Sequence, residues 1–74
     1  MSTITTSPTP MVDEALVAEA GIVRHRAERL RQQASKLDEV LGMSYRRRAS
    51  ELEMEAWLLE VRAGVPEQQL HHAA

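Results

Sequence analysis

The chain has no cysteine and no phenylalanine, and only one tryptophan, one tyrosine, three glycines and three prolines in 74 residues. Without cysteine there is no disulfide and no thiolate metal site, which fits a reducing compartment. The scarcity of aromatic side chains removes residues that strands favour, whereas the helix formers alanine, leucine, glutamate, glutamine and arginine abound. The expected fold class is all-α. No apolar run approaches the ~18 residues that a membrane span needs. Met1 to Pro10 also lack the basic start and apolar centre of a secretory signal. A soluble, cytoplasmic protein that does not associate with membranes is therefore expected. The formal net charge of -2 exerts no overall pull on nucleic acid, so any such affinity has to come from a local cluster.

Catalytic signatures are missing as well. The sequence contains no glycine-rich phosphate loop, no nucleophile with an ordered histidine and acid, and no inward-facing Glu-x-x-His pair. Small helical mutases that hold dianions need arginine or lysine inside the bundle, and the apolar seam described below holds none. His71-His72 lack a third ligand at helical or turn spacing, which leaves no metal site. The chain is expected to be non-enzymatic and to need no cofactor.

What is present is a heptad pattern. Leu16, Ala20, Val23, Ala27, Leu30, Ala34, Leu37 and Leu41 alternate at spacings of four and three, which draws one seam along a helix face. A second series, Tyr45, Ala49, Leu52, Ala56, Leu59 and Ala63, runs one residue out of phase with the first. Gly42-Met43-Ser44 stands at the break, with a glycine suited to closing a helix and a serine suited to capping the next. Gly64 and Pro66 supply the stop signals for the second helix. The expectation is an antiparallel two-helix hairpin, about 12–41 and 44–63, with an Ala/Leu heptad seam and completion as a bundle by self-association or by a partner. Residues 1–11 are expected as a disordered tail, with Ser7-Pro8 and Thr9-Pro10 solvated within it, and 65–74 as a flexible one.

Reversal at Met43 sets Leu37 against Ala49, Ala34 against Leu52, Leu30 against Ala56, Ala27 against Leu59 and Val23 against Ala63. Each of these pairs a large side chain with a small one. Flanking the seam, Asp38 with Arg46, Arg31 with Glu53, and Arg24 with Glu60 pair opposite charges, while Arg26 with Arg62 pairs like ones. The first helix is then longer than the second, and Val12 to Ala20 lack a partner within the chain.

Two features lie off the seam. Met54, Trp57, Leu58 and Val61 form an apolar ridge on the second helix, with a weaker counterpart in Val12, Val17 and Ile22. A tryptophan with methionine and leucine on an outer face is the composition of an interface anchor. These four are the expected partner-binding residues of an adaptor, chaperone subunit or regulator that docks on another protein or forms a homodimer. Arginine is nearly all of the basic charge, and Arg26, Arg29 and Arg47 are the anion-binding candidates. They support the alternative function of a homodimeric four-helix bundle binding RNA or regulating transcription, an architecture similar to RNA-binding plasmid-control hairpins in fold alone. Most of the arginines have acidic neighbours in the expected register, so nucleic acid is the less favoured partner.

Overall fold

The computed structural model describes residues 11–70, which form two packed helices and a short 3-10 turn. The first helix, α1, spans Glu14–Ala34 and the second, α2, spans Glu39–Ala63. The chain is thus an all-α helical hairpin. No strand occurs among the described residues. Residues 1–10 of the expected 1–11 tail, with its Ser-Pro and Thr-Pro pairs, and the His71-His72 pair lie outside the described residues. Within the expected C-terminal tail, Glu67–Gln69 make the 3-10 turn.

Each boundary has a local cause. The Asp13 carboxylate accepts from the Ala15 and Leu16 amides at 3.0 and 3.3 Å, satisfying donors that the first turn of α1 leaves open. Asp38 does the same for α2 through the Leu41 amide at 2.9 Å. At the end of α2, Gly64 takes φ 88, the left-handed conformation that a side chain disfavours. The Gly64 and Val65 amides then donate to the Val61 and Glu60 carbonyls, a paired bonding pattern that ends many helices. The expected stop at Gly64 is therefore where the helix ends.

The reversal is not where the heptad phase places it. The chain turns at Ser35–Asp38, where the Lys36 and Leu37 amides donate to the Gln33 and Ala34 carbonyls. Gly42, Met43 and Ser44 lie inside α2, so Gly42 closes no helix and Ser44 caps none. The phase break itself is compatible with the earlier turn, because the second series extended back reaches Gly42 and Asp38, while Leu41 continues only the first. Asp38 decides the matter, because its carboxylate caps the helix that starts at Glu39.

Moving the turn changes which residues oppose one another. Ala34 meets Gly42, whose backbone comes so close that a Cβ there would sit 3.1 Å from the Ala34 carbonyl oxygen. Ala27 and Ala49 share the central apolar cluster, and at the open end the Asp13 amide donates to the Ala63 carbonyl at 2.8 Å. The same register carries Ala20 opposite Ala56. The seam is therefore small against small, not large against small as expected, and among the described residues the buried apolar ones are six alanines and Leu52. The Asp13 bond and the burial of Ala20 also show that Val12 to Ala20 do pack within the chain.

This seam predicts opposite responses to two substitutions, both readable by thermal denaturation. Gly21 lies inside α1, and a Cβ added there would meet nothing within 4 Å. Gly21→Ala therefore gains helix propensity alone, about 1 kcal/mol, and raises Tm by roughly 4 to 8 °C. Ala49→Leu forces the helices apart and lowers stability by roughly 1 to 3 kcal/mol.

Candidate interaction surfaces

The close seam divides the hairpin into two unlike edges. Along one edge Arg24 Nη2 meets Glu60 Oε1 at 2.5 Å, and Arg31 meets both Glu53 oxygens at 2.6 and 3.2 Å while also donating to Ser50 Oγ at 3.1 Å. These are two of the three expected charge pairs. They form in the new register because helical side chains lean toward their own N-terminus. In an antiparallel pair the arginine and the glutamate lean toward each other along the axis, so they meet although their Cα atoms are offset. The third expected pair does not form, since Asp38 caps α2 and Arg46 sits about two turns further along that same helix.

The two bridges differ in setting. Arg24 and Glu60 keep side-chain exposures of only 22% and 8%, and the Arg24 Nε is buried without an acceptor among the described residues. Arg31 and Glu53 are more open. Their mutual hydrogen bond is the main reason why the Glu53 carboxyl titrates below, and the Arg31 guanidinium above, its ordinary range.

On the other edge the larger seam residues are displaced sideways, since alanines occupy the contact line. Leu16, Val23, Leu30, Tyr45 and Leu59 are half-buried there, Leu52 is buried, and Leu37 and Leu41 are exposed near the turn. Sequence reasoning places all of these inside the seam. The signal it misses is the alanine heptad itself, Ala20, Ala27, Ala34 and then Ala49, Ala56, Ala63, which can close without them.

The outer side of α2 carries the expected ridge. Met54, Leu58 and Val61 are 50%, 46% and 44% exposed, and Trp57 is half-buried. Val40 and Met43, both exposed, extend the apolar surface toward the turn. The counterpart on α1 is thinner, with Ile22 exposed and Val12 and Val17 half-buried.

The arginine candidates are split between helices. Arg26 and Arg29 border a shallow hollow on α1 with Ile22 and His25, whereas Arg47 borders a different one on α2 with Val40 and Met43. Arg48 is occupied by Glu51 and Glu55 of its own helix, at 3.2 and 3.5 Å. Among the described residues no group of three or more His, Asp and Glu is placed to hold a metal, and no helix is long and apolar enough to cross a membrane. In comparisons with known proteins, no family model, curated protein or solved structure matches the chain.

Two measurements test the charged edge. Glu60→Ala leaves a mostly buried guanidinium unpaired and is expected to cost roughly 2 to 4 kcal/mol in denaturant unfolding, whereas replacing both Arg24 and Glu60 by methionine and leucine costs far less. Because the Glu53 pKa is lowered by folding, its contribution is present above the unfolded glutamate value and is lost as pH falls through the folded one. The stability difference between wild type and Glu53→Gln should accordingly shrink between about pH 5 and pH 3.

Proposed function

We propose that the chain is a non-enzymatic protein–protein interaction module, a small adaptor, chaperone subunit or regulator, that docks on another protein through Met54, Trp57, Leu58 and Val61. The observation that carries this reading is an apolar ridge on α2 that keeps Met54, Leu58 and Val61 exposed and Trp57 half-buried, outside the central apolar cluster of the hairpin. The four residues fall at i, i+3, i+4 and i+7, the spacing by which a helix lays one face into an apolar groove. Trp57 is the natural anchor, since it offers a large rigid area at small entropic cost, with the more flexible Met54 filling space beside it. The partner is thus a protein with a groove that accepts a helix of about two turns. Burial of the ridge also supplies stabilisation that a core of alanines and a single fully buried leucine does not.

The test is capture of partners from native extract with the tagged full chain, set beside two ridge variants. Trp57→Ala with Leu58→Ala removes the anchors, and Met54→Asp with Leu58→Asp charges positions that are already exposed. Proteins retained by wild type should bind both variants at least about 30-fold more weakly, the equivalent of one anchor residue of ~2 kcal/mol. Retention of the same proteins by variants that remain helical would refute the ridge as the docking surface.

A further inference from the structure

We propose that the leucine edge of the hairpin, the side opposite the Arg24 and Arg31 bridges, is a self-association surface on which a second copy packs antiparallel, with its turn at the other end. This surface adjoins the ridge at Leu58, which borders the hollow between Glu19 and Leu59, and leaves Met54, Trp57 and Val61 uncovered.

The charge pattern on this edge selects the occupant. On α1, Glu19 and Arg26 each sit three residues after one large apolar residue and four before the next, in the order Leu16, Glu19, Val23, Arg26, Leu30. They flank the apolar row one heptad apart. On α2 the order is Tyr45, Arg48, Leu52, Glu55, Leu59, with the same spacing and the signs following the chain in reverse. The antiparallel fold therefore brings like charges to one level. Glu19 and Glu55 line a single hollow with Val23, Leu58, Leu59 and Arg62, and the same register sets Arg26 level with Arg48. The edge thus carries a band of two glutamates, with Arg62 at its outer end, and a band of two arginines, separated by the layer that holds Val23 and Leu52.

A twofold axis through that layer, perpendicular to the helices, exchanges the two bands. It lays α1 on α1 of the second copy and α2 on α2. Glu19 then meets Arg26 of the second copy, Arg48 meets its Glu55, Leu16 meets its Leu30, and Leu59 meets its Tyr45. Val23 and Leu52 lie on the axis and meet themselves. One axis satisfies both helices and all four charges, which is the self-complementarity that a twofold interface requires. The parallel arrangement, with both turns at one end, sets Glu19 against Glu55 and Arg26 against Arg48, and like charges reject it.

Two further observations agree. Glu19 and Arg26 have no ion pair or hydrogen bond within the described hairpin, so their charges are available. Arg48 is held by its own helix only at 3.2 and 3.5 Å between half-exposed groups, weak contacts that a facing Glu55 can replace or share. The row from Leu16 to Leu37 is ~30 Å long at ~1.5 Å per residue, and two close helices are ~20 Å across. A patch of roughly 600 Å² per copy lies at the lower limit for a specific dimer, which makes association concentration-dependent.

Sedimentation equilibrium of the full chain tests the proposal, with circular dichroism to confirm that each variant stays helical. Wild type should reach twice its 8.3 kDa mass at tens of micromolar. Glu19→Arg alone and Arg26→Glu alone should each weaken the dimer at least tenfold, because each sets like charges against one another twice. An equimolar mixture of the two single variants should dimerise again, since one then presents two arginines to two glutamates. A wild type that remains monomeric at 1 mM, or single variants that dimerise as well as wild type, would overturn the proposal. Loss of the dimer in Met54→Asp with Val61→Asp would also overturn it, by moving the self-contact to the ridge. Failure of partner capture by the ridge with the charge-swap behaviour intact would instead sink only the docking reading.

Discussion

The close approach of two helix backbones is the constraint from which the rest of the structure follows. Alanine at every seventh position on both helices, with Gly42 in the place of one, removes the side-chain volume that usually keeps helices about 8 to 10 Å apart. Methyl groups lose no rotamer freedom on burial, so the seam gains dispersion contacts without an entropic cost in side chains. Nothing larger fits on the contact line. The leucines are therefore displaced to one edge, and the other edge is left to side chains long enough to bridge across.

The charged edge gives the hairpin its register more than its stability. A seam of identical small residues is nearly indifferent to sliding by a heptad, since alanine then meets alanine again. Arg24 with Glu60 and Arg31 with Glu53 are not indifferent, because a slide would break both bridges and strand the mostly buried charge of the first. The amide of Asp13 on the Ala63 carbonyl and the Asp38 cap fix the two ends in the same alignment. Ion pairs, a backbone bond and a helix cap thus agree on one arrangement, which is how a chain with few large buried side chains still specifies a single structure.

Much of this is legible in the sequence, and the parts that are not have identifiable physical reasons. The heptads name the seam residues, Gly64 and Pro66 name the end of α2, and two of the three expected charge pairs form. The turn is misplaced because alternating leucine and alanine fits a slide of ten residues, a heptad plus three, as well as the native alignment, one giving large against small and the other small against small. Matching charge pairs as if their Cα atoms lay face to face ignores the lean of helical side chains, and it pushes the reversal several residues too late. Asp38 carries the missing information as a cap, yet its charge suits an ion pair with Arg46 equally well on paper. Gly42 likewise reads as a residue needed for its backbone angles, when it is needed for its lack of a Cβ. The ridge at Met54, Trp57, Leu58 and Val61 is visible from spacing alone, whereas the leucine edge emerges only once the alanines are seen to close without it.

The bond from the Asp13 amide to the Ala63 carbonyl has a consequence for how the chain is wired. It holds the beginning of one helix beside the end of the other, so the polypeptide enters and leaves the hairpin at a single pole while the Ser35–Asp38 bend occupies the opposite pole. The packed pair has no inherent chain order. A short bridge across the entry pole, with the bend opened, would yield the same two helices in reversed succession. Anything fused at either end therefore joins the hairpin at the pole opposite the bend.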